Sequence, residues 1–152
     1  KDSRLRVVHL GKAHKPEWAR QAAAEMKRNP RYLWKGEVPA WRVRREYART
    51  QLMVISSNQE GGANVVSEAI MAGLPVIASK INGNVGLLGA DYQGYFPTED
   101  TLALAKLLMR LETDKEFFKA LSAQVRALRP EFTEKRELAA WKSLLASLNQ
   151  GA

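Results

Sequence analysis

Two acids eight positions apart, Glu60 and Glu68, bracket the glycine pair Gly61-Gly62 in the run Gln59–Ser79, QEGGANVVSEAIMAGLPVIAS. A carboxylate can accept two hydroxyl hydrogen bonds at once, so acids flanking a glycine turn suit a polyhydroxylated ligand. Glycines carry no side chain to block that ligand, and their N–H groups can approach phosphate or sugar oxygens. A helix from about Asn64 to Ala72 follows, with Asn64 as its cap and Gly73 at its end. Its first turn offers unpaired N–H groups and a positive dipole end, both of which favour an anion. Taken singly, Glu68 could merely stabilise a helix start, worth about 0.3–1 kcal/mol, and the glycines could merely form a tight turn. Taken together they fit a nucleotide sugar, with ribose at one end, hexose at the other and diphosphate between.

The elements around this run are those of an α/β sheet. Arg6–Leu10 reads as a short buried strand ending at Gly11. Pro16 opens a helix in which Trp18, Ala22 and Met26 recur at four-residue spacing on one buried face, until Asn29-Pro30 stops it. Arg31–Lys35 is a second strand, and Ala40–Arg49 a second helix with Trp41, Val43 and Tyr47 as packing residues. Gln51–Ser56 is a third strand, so apolar that both its faces should be covered. Pro75–Ser79 is the fourth strand, and Asn82, Gly83, Asn84, Gly86 and Gly89 mark a loop. Gly94–Phe96 is a short fifth strand. Helices at Thr101–Leu111, Asp114–Leu128 and Thr133–Leu148 close the chain, the last with an apolar stripe of Leu138, Trp141, Leu145 and Leu148. The expectation is one domain: an α/β part over residues 1–112 with a parallel sheet and helices on both faces, and a helical tail over 113–152.

The totals narrow the class. The 152 residues suffice for a buried core, and 45% hydrophobic with 26% charged residues is ordinary for a soluble globular protein. No apolar run reaches membrane-spanning length. There are no cysteines, which excludes disulfides, thiol nucleophiles and Cys-based zinc sites and fits a reducing, cytoplasmic setting. His9 and His14 are too few for a His-only metal cluster. His9, inside a strand, reads as structural, and His14, in a loop, could touch phosphate. The net charge of +8 points to an anionic partner and is clustered at Lys27, Arg28, Arg31 and Lys35 and at Arg42, Arg44, Arg45 and Arg49. The second cluster reads as a solvated face, with contact to anionic lipid as the sharper reading.

The run EGGANVVSEAIMAGLPVIAS resembles the signature region of family 4 glycosyltransferases, in the carboxy-terminal Rossmann-like domain of the GT-B fold. The resemblance extends from about Arg6 to Leu111, with Trp34-Lys35-Gly36-Glu37-Val38-Pro39 similar to the loop that faces the base. It implies a retaining, metal-independent enzyme without a cofactor, moving a hexosyl group from a UDP-sugar donor. It also implies that Glu60 binds the donor hexose as the catalytic carboxylate, without serving as a general base, and that Glu68 binds the ribose hydroxyls. Main chain from Gly61 through Gly62, Ala63 and Asn64 to Val65 would hold the diphosphate and sugar. Gly36 and Val38 would receive the base, and Gly83 and Asn84 would line the donor rim. A narrower resemblance, carried by GGANVVSEAI and NGNVGLLGADYQGYFP, is to a bacterial branch that includes selenosugar synthases, and implies selenophosphate as acceptor.

Position 63 is alanine where many of the family carry glycine, and Gly62 stands where they often have an aromatic; a backbone role survives both changes. The family's domain also opens with a strand, an Arg/Lys loop and a helix that have no counterpart before Arg6. The expectation is therefore a fragment of a longer enzyme, inactive alone and lacking an amino-terminal acceptor domain. In the order 3-2-1-4-5-6 the first strand is central. Its loss would leave the sheet to close over the gap, borrow a strand from a second copy as a homodimer, or rest on residues outside this sequence. Two competing readings are a basic nucleic-acid-binding module, which the charge permits but for which no recognisable motif is present, and a GT-B nucleotide-sugar epimerase. No nucleic-acid partner is expected.

Overall fold

A computed structural model describes residues 3–59 and 61–149. Strands and helices alternate through the first two-thirds, as the sequence predicts. The elements are β1 (Val7–His9), α1 (Pro16–Arg28), β2 (Tyr32–Trp34), α2 (Ala40–Tyr47), β3 (Met53–Ile55), α3 (Asn64–Ala72) and β4 (Val76–Ser79). They continue with α4 (Asn82–Leu88), β5 (Tyr95–Phe96), α5 (Thr101–Thr113), α6 (Lys115–Leu128), a 3-10 turn (Arg129–Phe132) and α7 (Glu134–Asn149). All strand pairings are parallel. β1 pairs with β2, and separately β4 lies between β3 and β5. If the two ladders are numbered 2-3 and 4-5-6 of the expected order, they account for every expected neighbour except those of position 1.

The chain divides into two compact units, Lys1–Arg49 and Thr50–Ala152. In the first, β1 and β2 are joined at their ends by Gly11, whose N–H donates to the Gly36 carbonyl at 2.9 Å, and by the Trp34 indole, which donates to the Gly11 carbonyl at 3.1 Å. α1 packs on β2. The expected buried strand and buried helix face are corrected here: Val7, Val8 and His9 are exposed, Trp18 is 47% exposed, and no residue of α1 is buried. A two-stranded ladder is too narrow to cover a thirteen-residue helix, and each three-residue strand has only one neighbour.

The second unit holds the core. Val76, Ile77, Ala78 and Ser79 are all fully buried because β4 has a strand on each side. Val66, Ala69 and Ile70 of α3 and Leu121 and Val125 of α6 join them at 0% exposure. At about 25 cal/mol per Å² of apolar surface, each of the buried valine, leucine and isoleucine side chains contributes about 1.5–3 kcal/mol. β3 is less covered than its composition predicts: Val54 is 44% exposed, since β3 has β4 on only one side. Tyr92 ties the sheet from below, its hydroxyl donating to the Val76 carbonyl at 2.6 Å and accepting from the Val76 N–H at 3.0 Å. Gly94 is required beside it, because a Cβ there would lie 2.4 Å from the Val76 carbonyl oxygen.

Two local expectations change. Asn82–Gly89 is mostly helix rather than loop. The Ile81 carbonyl accepts from Val85 N–H, the Val85 carbonyl from Gly89 N–H, and buried Asn84 and Leu88 hold one side of α4 inward. Burial of those two side chains outweighs the poor helix propensity of Gly83 and Gly86. Further on, Asp100 and Asp114 cap α5 and α6, accepting from Ala103 N–H at 2.8 Å and Phe117 N–H at 2.9 Å. The apolar stripe of α7 is present on an exposed face, with Trp141 56% and Leu148 64% exposed. No helix among the described residues is long and apolar enough to cross a membrane.

Candidate functional site

The loop after β3 runs straight into α3, which spans the expected Asn64–Ala72, but the cap position falls on Ala63 rather than Asn64. Ala63 occupies the cap position with extended backbone and has no capping side chain of its own, and Asn64 is the first helical residue. Ala63 is buried, and its carbonyl accepts from Val66 N–H at 2.8 Å. A helix start that follows a glycine turn offers main-chain N–H groups and a positive dipole end, which suit an anion.

The two glycines differ in what they require. Gly62 has φ +132°, which only glycine adopts readily, so its identity follows from the backbone. Gly61 has no such φ, and a Cβ at either position would meet nothing within 4 Å.

On α3, Asn64 and Glu68 are one turn apart, and with Val65 they make up the exposed face of the first turn and a half. Val66, Ala69 and Ile70 bury the opposite face. The helix stops where predicted. Gly73 is left-handed, with φ 74° and ψ 21°; its N–H donates to the Ile70 carbonyl and Leu74 N–H donates to the Ala69 carbonyl, both at 2.9 Å. Gly61, Gly62, Ala63, Asn64, Val65 and Glu68 are thus brought together on one loop and one helix end. Glu60, the predicted catalytic carboxylate, lies outside the described residues.

Gly83 and Asn84 are in the first turn of α4, which packs against α3. Asn84 is wholly buried. Its Nδ2 donates to the Ser79 carbonyl at 2.9 Å and to Ser79 Oγ at 3.3 Å, while Oδ1 has no hydrogen-bond partner among the described residues. Ser79 Oγ in turn donates to the Ser57 carbonyl at 2.6 Å. The chain Asn84–Ser79–Ser57 runs from buried Asn84 and Ser79 to half-buried Ser57 and connects α4, the end of β4 and the start of the glycine loop. Gly36 and Val38 belong to the first unit. Gly36 has φ +66°, with its carbonyl held by Gly11, and Val38 is partly exposed. Lys35, next to Gly36, pairs with Glu46 at 2.6 Å. That hydrogen bond is the main reason the Glu46 carboxyl is held below its usual range.

The sequence reading missed the supports of the loop. Ser57 and Ser79 are 22 positions apart, and Asn58 meets Glu99 across 41, donating from Nδ2 to Oε1 at 2.9 Å. No local pattern marks pairs so far apart. A surface cavity beside β5, lined by Lys80, Gln93, Tyr95 and Thr98 among others, shares no residue with the predicted site.

The family model for glycosyl transferases group 1 matches residues 1–128. Among solved structures, the chain is similar to sucrose-phosphate synthase from Thermosynechococcus elongatus, with TM-score 0.77 and 21% identity over 95% of this chain and 39% of that one. It is also similar to Anabaena HepE in complex with UDP-glucose, with TM-score 0.76 and 18% identity over 93% of this chain and 41% of that one. A protein of the GtfA/B complex gives TM-score 0.78 and 22% identity over 96% of this chain and 30% of that one. No curated protein matches the sequence. The chain spans well under half the length of these three structures, which share its fold.

Proposed function

The chain belongs to the family of glycosyl transferases group 1, and from that premise we propose that it forms the donor-binding part of a retaining, metal-independent hexosyltransferase of family 4 that uses a UDP-sugar. The observation that carries this reading is the Gly61-Gly62 turn, where an added Cβ would meet nothing within 4 Å, leading directly into the start of α3 with Glu68 exposed one turn in. HepE, with the same fold, is described with UDP-glucose bound.

In this reading the diphosphate lies against the main chain of Gly61 to Val65, where N–H groups and the helix dipole offset its charge. Glu68 accepts the ribose hydroxyls, Glu60 accepts the hexose hydroxyls, and Gly36 and Val38 receive the uracil with their main chain. Gly83 and Asn84 border the sugar, and Asn84 is held there by its Nδ2 hydrogen bonds to Ser79, with Oδ1 left unspent. In the transfer the hexosyl C1–O bond to the β-phosphate breaks, and UDP leaves with the electron pair. A bond from C1 to the acceptor forms with the anomeric configuration kept. For a selenophosphate acceptor that bond is C1–Se. The acceptor site and the activity of the whole enzyme are parts of the same proposal.

The test is UDP affinity measured by titration calorimetry on the full-length protein. Glu68→Ala should weaken UDP by about 10- to 100-fold, the loss of a charge-assisted pair worth about 1.5–3 kcal/mol. Unchanged affinity in that variant would remove Glu68 from the site. The net charge of the chain keeps a nucleic-acid module as the competing reading. It requires tight binding of an oligonucleotide with a steep salt dependence, unaffected by Glu68→Ala.

A further inference from the structure

The turn Pro97–Asp100 contains Glu99 at φ +63°, the one non-glycine residue with positive φ among those described. Asp100 N–H donates to the Pro97 carbonyl at 3.3 Å, so Glu99 is the third residue of a β-turn that asks for glycine or asparagine there. A glutamate in this place is strained, and its carboxylate has a specific use: Oε1 accepts from Asn58 Nδ2 at 2.9 Å. Asn58 stands three positions before Gly61, in the same loop whose Ser57 carbonyl is held by buried Ser79. The turn itself is anchored on both sides. Phe96 accepts from Lys80 N–H through its carbonyl, and Asp100 caps α5.

We infer that Glu99 is a positioning residue for the glycine loop: it keeps an unfavourable backbone conformation because its carboxylate clamps Asn58 and so orders the turn that receives the donor diphosphate. The inference rests on the donor-site reading above and adds a residue to it that touches no ligand. A carboxylate-to-amide hydrogen bond on an exposed loop adds little to global stability. Its effect is local, since it restricts the conformations of a glycine turn in which a side chain at either glycine would meet nothing within 4 Å. Strain kept where a loop must be held in place is a trade of stability for order at the site.

The substitution Glu99→Gly relieves the strain and removes the carboxylate together, so stability and loop order should move in opposite directions. In the full-length protein it should leave Tm unchanged or higher, speed amide exchange at Gly61 and Gly62 at least threefold, and weaken UDP about three- to tenfold. Asn58→Ala should reproduce the exchange and affinity changes without the gain in Tm. The double variant should be no worse than either single one, and Glu99→Gln, which keeps an acceptor oxygen, should restore most of the affinity. Loop exchange in Glu99→Gly equal to wild type would overturn the clamp. Faster exchange with UDP affinity within twofold of wild type would overturn its role in positioning. Failure of the wild-type protein to bind UDP would sink the donor-site reading instead, and the exchange measurement would still decide the clamp.

Discussion

The two units of this chain are built from the same alternation of strand and helix, yet only one of them has an interior. Residues 50–152 contain every fully buried side chain among those described, and residues 3–49 contain none. Charge divides the same way. Residues 1–49 carry 14 Lys and Arg against 5 Asp and Glu, a formal +9, whereas residues 50–152 carry 10 against 11, a formal −1. The difference comes from the sheet. A strand such as β4, with partners on both edges, buries all four of its side chains; β1 and β2, with one partner each, leave Val7, Val8 and Leu33 between 43% and 50% exposed. An apolar strand is therefore not yet a buried one. Burial depends on how many neighbours the ladder supplies.

Truncation of apolar side chains should draw this contrast most sharply. Ile77→Ala in β4 should cost about 2–5 kcal/mol, whereas Val8→Ala in β1 should cost under about 1 kcal/mol. Chemical denaturation of the two variants checks this, and equal losses would mean that β1 is covered in solution. A smaller effect is expected at Tyr92, whose hydroxyl serves both the N–H and the carbonyl of Val76. Tyr92→Phe should lose about 1–3 kcal/mol at neutral pH by leaving buried polar groups unpaired.

The pH limits should sharpen the comparison further, because different groups set them. Burial raises Tyr92 well above its ordinary range and pushes Tyr95 up to about 12, so the fold favours their neutral forms. Their stabilisation is complete below the unfolded value near 10 and is lost as pH rises above it. The second unit should then loosen in strong alkali, and Tyr92→Phe should flatten that alkaline decline even though it lowers stability at pH 7. Tyr32 of the first unit is raised by burial as well, so amide exchange is needed to say which ladder opens first. The smallest effect concerns Glu46. Its carboxyl is depressed by Lys35, so its contribution is present above about pH 4.5 and is lost as pH falls through the folded value. Glu46→Gln should remove that acid-dependent part in the first unit, as seen in a shallower loss of β1–β2 amide protection between pH 5 and roughly pH 3.

Much of this architecture was legible beforehand, and for physical reasons that act locally. Gly73 ends α3 because a left-handed residue must follow the last turn, and Pro16 opens α1 because its missing N–H is not needed there. The five strands, the end of α3 and the grouping of Gly61 to Glu68 at one loop and helix start all follow from periodicity and from such end signals. Their parallel pairing follows from the alternation with helices. Local signals misled where burial outweighed propensity, as in α4, whose two glycines read as loop while Asn84 and Leu88 pull the segment inward as a helix. They misled again in α1, where Trp18 and Met26 carry the spacing of a buried face that the narrow β1–β2 ladder does not cover.

The glycine loop shows the same boundary at the level of the candidate site. The sequence by itself determined that a glycine turn would meet a helix start beside Glu68, because those residues are contiguous and their conformations are set by neighbours within a turn. Only the tertiary structure decided what holds that turn. Ser79 and Glu99 reach it from 22 and 41 positions away, through hydrogen bonds that exist once β4 is paired with β3 and β5 with β4. Contacts of that kind depend on strand register, and register is a property of the assembled sheet rather than of any segment read alone.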